Sequence, residues 1–299
     1  MTTLLDSPAG AAVENTRSVG HPVTFAPAAL AAFAAAYPDF PAPLTHGLAD
    51  HPLLTVDAIA ALADRLPGAQ VEYNPGKLPL SITAEDTPRP TLSIAQTIRT
   101  IGDNGSWMVL KNVESDPAYA ALLDAALEPL RAVVESRTGP MAHREAFIFL
   151  TSPGSVTPFH MDPEHNILLQ IAGGKVMTVF PAGDTMLVPA EKSEGFALGA
   201  HRNLVWDEVF RDRGTAVPLE PGDAILVPVK APHFVHNGDR VSISFSITWR
   251  SERSVAEGEL HSFNRLLRAC GLPLVRVSAR PERQKLARLG YRLMRRLVA

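Results

Sequence analysis

His160, Met161 and Asp162, with His233 in a later extended segment, combine residue types and spacing that suit a divalent cation. Successive side chains of a strand point to opposite faces, so His160 and Asp162 share one face while Met161 enters the other layer. Imidazole nitrogen and carboxylate oxygen are both ligands for first-row divalent metals. Glycines punctuate the pair: Gly154 lies six residues before His160, and Gly173 lies seven after Asn166. Gly222, Pro228, His233 and Asn237 form a second block of similar kind.

The elements that must position these residues belong to a chain of ordinary soluble character. With 299 residues, 46% hydrophobic and 20% charged, it has room for one large or two small globular domains. A single cysteine, Cys270, excludes an intramolecular disulfide framework and a cysteine-based zinc cluster, and points to a reducing, cytoplasmic compartment. The apolar run Phe25 to Tyr37 is mostly alanine, too short to span a bilayer, and reads as a helix rather than a signal peptide. No transmembrane segment is expected. The net charge of −3 conceals a basic end: residues 265–296 hold ten Lys or Arg against the single Glu282, a net +9, so the remainder carries −12.

Four regions are expected. Residues 1–45 are an Ala/Pro-rich segment with a mobile start, and 46–140 are a helical α/β support region. Within the latter, Thr55 caps a short helix ending near Leu66-Pro67-Gly68, helices run over Ser93 to Ile101 and Asp116 to about Ser136, and a strand covers Trp107 to Leu110. Residues 141–252 contain short β-rich runs at 146–150, 157–161, 167–171, 176–180, 224–228 and 241–249, with Gly173-Gly174 expected to turn a hairpin. The weakly periodic, polar stretch 181–219 is expected to cover a barrel mouth. Residues 253–299 return to basic helices. Many short strands imply a sandwich or barrel of the jelly-roll type, giving a mainly β fold with flanking helices.

The two blocks resemble the paired motifs of the cupin superfamily. An ordinary cupin would offer two His and a Glu from the first block and one His from the second. Here Asp162 stands in the place of the second His, and Asn166 in that of the Glu. An amide is a poor ligand, so His160, Asp162 and His233 remain, a set like the facial triad of non-haem Fe(II) oxygenases with coordination positions left open. The run Thr157-Pro158-Phe159-His160-Met161-Asp162, then Asn166, Gln170, Gly173, Lys175 and Phe180-Pro181, is similar to the asparaginyl-hydroxylase branch of the JmjC-type, cupin-like 2-oxoglutarate- and Fe(II)-dependent oxygenases. That resemblance implies a double-stranded β-helix core, Fe(II) as metal and 2-oxoglutarate as co-substrate. It implies that Thr157 and Lys175 hold the distal carboxylate and that Asn166 lies near the metal-bound end. Where that branch carries an amide on its last strand, this chain offers small hydroxyls such as Ser246 or Thr248.

Other readings compete. His236, three residues after His233, falls on the opposite strand face, and His165 is one residue out of step for an inverted zinc-protease pattern, which leaves it behind the ligands or at the surface. His201, Arg202 and Asn203 fall in the polar stretch, as substrate contacts or as plain loop. In the last helix Leu286, Leu289, Leu293, Met294 and Leu297 recur at helical spacing, suiting packing on the domain or a homodimer through C-terminal helices. The same arginines would suit nucleic acid or an anionic membrane surface, but no nucleic-acid-binding motif accompanies them. The leading expectation is an oxygenase, either hydroxylase or demethylase, acting on a small molecule or a protein side chain. The alternatives are a non-catalytic, ligand-sensing transcriptional regulator of cupin type and a zinc or manganese cupin enzyme that does not use 2-oxoglutarate.

Overall fold

The computed structural model describes residues 25–83, 86 and 92–298; the expected mobile start, residues 1–24, lies outside them. Pro27 opens α1 (Pro27–Ala36), a first-turn position that needs no N–H, and β1 (Ala42–Thr45) follows. The Thr55 hydroxyl accepts the Ala58 N–H to cap α2 (Val56–Ala63), after which comes β2 (Val71–Pro75). Ser93 and Gln96 form a reciprocal capping box on α3 (Ile94–Arg99), ahead of β3 (Ser106–Leu110). The helix expected over Asp116 to Ser136 is two helices, α4 (Pro117–Leu127) and α5 (Arg131–Thr138), because Pro129 cannot donate within a continuous helix and sits in a 3₁₀ turn between them.

Eight strands then build the core: β4 (Ala142–Thr151), β5 (Val156–His160), β6 (His165–Ala172), β7 (Lys175–Val179), β8 (Thr215–Leu219), β9 (Asp223–Val227), β10 (His233–Asn237) and β11 (Ser242–Arg250). Helix α6 (Ala190–Phe196) lies between β7 and β8, and α7 (Glu252–Ala269) and α8 (Lys285–Val298) end the chain. All pairings are antiparallel, in a seven-stranded sheet β1-β9-β6-β11-β4-β3-β2 and a four-stranded sheet β5-β10-β7-β8. The result is a jelly roll with flanking helices. Strands from 1–45 and 46–140 join the same large sheet as the core: β1 pairs with β9, and β2 and β3 extend it beyond β4. Among the described residues no helix is long and apolar enough to cross a membrane.

One expectation changes, and one strand adds to those expected. Gly173-Gly174 does not turn a hairpin, because β6 pairs with β9 and β11 while β7 pairs with β8 and β10, so the turn carries the chain from one sheet to the other. Gly173 has φ +66° and passes so close to Val241 that a Cβ would lie 2.3 Å from its carbonyl oxygen. The stretch 181–219 contains strand β8, whose alternation is weak because it is a largely exposed edge strand interrupted by Pro218.

Each strand of the large sheet has two different faces. On β11, Ile243, Phe245, Ile247 and Trp249 join the main apolar core with α1, α2 and α4, while the alternate Ser242, Ser244, Ser246 and Thr248 are buried toward the other sheet. Each large side chain so buried contributes roughly 1.5–3 kcal/mol, so the outward face anchors the sheet and the inward face is free to be polar. Gly154 also has φ +66° but open space around it, so Gly154→Ala is expected to cost about 1–2 kcal/mol, the left-handed penalty alone. Gly173→Ala should cost more, since its methyl also meets Val241. Equal urea-unfolding costs for the two variants would refute the close approach.

Candidate metal centre

The pairing of β5 with β10 sets His233 directly opposite His160, with ring centroids 4.1 Å apart. Asp162 follows the end of β5 and turns its Oδ2 toward both rings, 3.9 Å from His160 Nε2 and 3.6 Å from His233 Nε2. One ligand atom from each of the three residues lies within 4.8 Å of the others. Phe159 and Met161 point to the opposite side, into an apolar cluster with Phe180, Leu187, Val188 and Leu204 that holds the strand from behind.

The imidazoles are oriented by their far nitrogens. His160 Nδ1–H donates to the Pro158 carbonyl at 2.7 Å, and His233 Nδ1–H donates to the Ala231 carbonyl at 3.0 Å. A carbonyl can only accept, so both rings carry their proton on Nδ1 and present the Nε2 lone pair to the shared space. Burial, reinforced by His233, pushes the His160 pKa down to about 3. For Asp162 burial acts upward, but His160, Arg202 and His233 outweigh it and hold the carboxyl at about 2. At neutral pH His160 therefore offers neutral nitrogen next to the anionic oxygen of Asp162, the protonation state that binds a cation.

Two further groups hold Asp162. Arg202 Nη1 donates to Oδ1 at 3.3 Å, occupying the oxygen turned away from the histidines, and the Lys230 N–H donates to the Asp162 carbonyl at 2.8 Å. Residues 202–204 run along the free edge of β5, where the Met161 N–H donates to Arg202 O and the Leu204 N–H to Phe159 O. Sequence spacing singled out neither role. Arg202 is forty positions from Asp162 in a stretch without periodicity, and Lys230 acts through its backbone in the left-handed conformation at φ +57°.

The structure distributes the other expected residues as follows. Thr157 and His160 line a cavity of about 70 Å³ together with Glu72, Trp107 and Arg202. Asn166 and Ser246 are buried on adjacent strands, where the Ser246 hydroxyl donates to Asn166 Oδ1 at 2.7 Å. Lys175 does not line that cavity; it is buried on β7, opposite Asn237, on the strand face that also carries Met177 and Val179. His233 lies opposite Val179, so His233 and Lys175 share one interior about 13 Å apart along the strands. Among the described residues Lys175 Nζ has no hydrogen bond or ion pair, and burial pushes its pKa down to about 7. The Oδ1 of neighbouring Asn237 is buried without a partner as well. His236 is exposed on the outer face of β10.

His165 is not a surface group. It is buried on the outer side of β6, stacked on Trp249 at 5.4 Å and beside Tyr37 at 5.0 Å, with Nε2 2.9 Å from Ser251 Oγ.

No family model matches the chain. A stretch of 107 residues is 30% identical to Jumonji C domain-containing protein 5 of Drosophila melanogaster, covering 34% of this chain and 26% of that protein. Over 108 residues the chain is 29% identical to lysine-specific demethylase JMJ30 of Arabidopsis thaliana, covering 33% and 24%. The match thus spans about a quarter of each curated relative. Among solved structures, the X-ray structure of Escherichia coli ycfD superposes with a TM-score of 0.53 at 16% identity, covering 92% of this chain and 69% of that one, a likeness of fold. In sequence over a third of its length, the chain resembles the JmjC-type, cupin-like proteins, as the two motif blocks implied.

Burial, with help from Arg253, pushes the His165 pKa down to about 3, whereas an unfolded histidine titrates near 6.5. As pH falls below about 6.5 the unfolded chain takes the proton first, so this contribution to stability is lost progressively between about 6.5 and 3. At pH 5 the loss is about 2 kcal/mol. Urea midpoints at pH 7.5 and pH 5 should differ less in His165→Phe than in the wild type; an unchanged difference would show that His165 is not the group responsible.

Proposed function

We propose that the protein is a 2-oxoglutarate- and Fe(II)-dependent oxygenase whose metal is held by His160, Asp162 and His233. One observation carries the reading: Lys175 is buried without an anionic partner in the same interior as a three-ligand site. A buried cation without a counter-charge is costly, and a ligand carboxylate removes that cost with a charge-assisted hydrogen bond. A dicarboxylate reaching from the triad toward Lys175 satisfies both ends.

The donor set fits the metal. Two neutral imidazoles and one carboxylate match the ligands of non-haem Fe(II) oxygenases, and three protein ligands leave positions for a co-substrate and dioxygen. When bound, iron supplies the oxidation, in which 2-oxoglutarate is converted to succinate and carbon dioxide while a substrate C–H bond is hydroxylated. The protein's own residues hold and orient. Pro158 and Ala231 carbonyls fix the imidazoles, and Arg202 takes the outer oxygen of Asp162, leaving the inner one for the metal. Lys175 anchors the far carboxylate; Thr157, Asn166 and Ser246 line the path between as further polar contacts. Trp107 and Phe149, whose rings are 5.9 Å apart, exclude water on one side.

The product is an alcohol, or a demethylated amine where the carbon is an N-methyl group. The Arabidopsis relative is named a lysine-specific demethylase, which favours a protein side chain over a small molecule as substrate. A ligand-sensing regulator is not favoured, because Arg288 and Arg292 of the basic end turn to Glu259 and are partly neutralised there. The outward stripe of α8, with Leu286 86% exposed and Leu289 and Leu293 each 53% exposed, has the spacing of a helix seam, and we propose that it pairs two copies of the chain.

Anaerobic addition of Fe(II) and 2-oxoglutarate should develop the weak visible charge-transfer band of the ternary complex. His160→Ala should abolish the band, and Lys175→Ala should weaken 2-oxoglutarate binding at least tenfold, about 1.4 kcal/mol, while metal binding persists. An absent band in the wild type, or an undiminished one in His160→Ala, would sink the proposal. Sedimentation should give a dimer that Leu289→Asp converts to monomer; a wild-type monomer would reject the α8 pairing.

A further inference from the structure

The cavity beside Thr157 and His160 holds about 70 Å³, far below the roughly 300–1,000 Å³ of small-molecule sites. A substrate side chain therefore needs one of its walls to move. Two kinds of segment form those walls. Trp107, Thr157 and His160 sit on strands, whereas Leu78 and Ile82 on one side and His201 to Asn203 on the other belong to stretches without helix or regular strand.

The two irregular stretches are held differently. Residues 201–206 are pinned by their own backbone: Met161 N–H donates to Arg202 O at 3.3 Å, Leu204 N–H donates to Phe159 O at 2.8 Å, and the Leu204 side chain is buried in the apolar cluster behind β5. Residues 77–82 leave the large sheet after Gly76, whose N–H donates to Gly105 O and whose carbonyl receives the Val156 N–H, so that end is fixed. Beyond it exposure alternates. Lys77, Pro79 and Ser81 face solvent, while Leu78, Leu80 and Ile82 turn inward and are half-buried. Among the described residues three hydrogen bonds hold this strap: Phe159 N–H donates to Leu80 O at 3.0 Å, Asn203 Nδ2 donates to Ile82 O at 2.8 Å, and Trp206 N–H donates to Ser81 Oγ at 2.6 Å. None of its residues is fully buried, and a segment with few bonds and little buried apolar surface opens more readily than the sheets around it.

We propose that residues 77–82 are a lid over the candidate metal centre, anchored at Gly76 and latched by Asn203 and Ser81, that lifts to admit a substrate side chain and closes to exclude water. The lid rests on the oxygenase reading only for what enters; its motion is a property of the strap. Asn203 also forms a β-bridge with His160 and follows Arg202, which holds Asp162, so the latch touches the residues that position two of the candidate ligands.

Two readouts on the full-length protein follow the lid without turnover. Amide exchange at Phe159, whose acceptor is Leu80 O, reports opening, and exchange at Leu204, bonded to the same residue of β5 from the pinned stretch, is the control. The rate at which N-ethylmaleimide labels Thr157→Cys, with the exposed Cys270 replaced by Ser, reports access to the cavity beneath. Asn203→Ala, and separately Ser81→Ala, should each raise Phe159 exchange and labelling at least fivefold, with Leu204 exchange unchanged and thermal unfolding still cooperative. Rates that neither variant moves, or Leu204 exchange that rises together with Phe159, would overturn the lid. A missing charge-transfer band would reject the oxygenase reading and leave these rates untouched, so the two proposals fail separately.

Discussion

The candidate site rests on one strand pairing, β5 against β10, with His160 and His233 as direct partners. Opposed residues of an antiparallel pair hold their Cβ atoms about 4.5–5.5 Å apart, close enough for two imidazoles to share one ligand. Between the partners Thr157–Val235 and His160–His233, β5 takes three steps where β10 takes two. The bulge falls at Pro158, which has no N–H to contribute to the ladder, and it leaves the Pro158 carbonyl to receive the Nδ1–H of His160. A local irregularity thus sets both the tautomer and the aim of the first candidate ligand.

The large sheet makes a polar interior possible by placing its apolar weight outside the barrel. The outward residues of β4, β6, β9 and β11 pack beneath the helices, and inside the barrel Leu168, Met177, Val179, Ile225, Val227 and Val235 form a smaller apolar cluster, which leaves part of the inner faces polar. The polar inner residues of β6 and β11 are satisfied among themselves. Gln170 donates to the carbonyls of Ala172 and Gly173 and to Ser242 Oγ, and accepts from Ser244, while Ser246 donates to Asn166. Against that satisfied background Lys175 and the Oδ1 of Asn237 stand out. Function and stability pull in opposite directions at such a place, and the carboxylate proposed to bind there would reconcile them.

Asp162 is the hinge of the remaining architecture. Its inner oxygen faces the histidines, its outer oxygen meets Arg202, and its carbonyl receives the Lys230 N–H. Three segments far apart in sequence therefore converge on one residue. This convergence explains why the loop before β10 adopts a left-handed turn at a lysine, a conformation that only a well-supported backbone keeps.

Much of the core was legible because local rules govern it. Strand alternation placed His160 and Asp162 together, the glycine spacings matched His233 to them, and the caps at Thr55 and Ser93 marked helix starts. Elements whose pattern is weak were not legible. β8 is an exposed edge strand broken by Pro218, and Gly173-Gly174 has the composition of a hairpin but crosses between sheets, because strand partners are chosen by the whole sandwich rather than by the turn. The sequence by itself determined which residue types face inward, since that follows from a two-residue period. Only the tertiary structure decided that Arg202 and Lys230 hold Asp162, that His165 is buried against Trp249, and that Lys175 has no partner among the described residues, because those contacts join segments that no local periodicity relates.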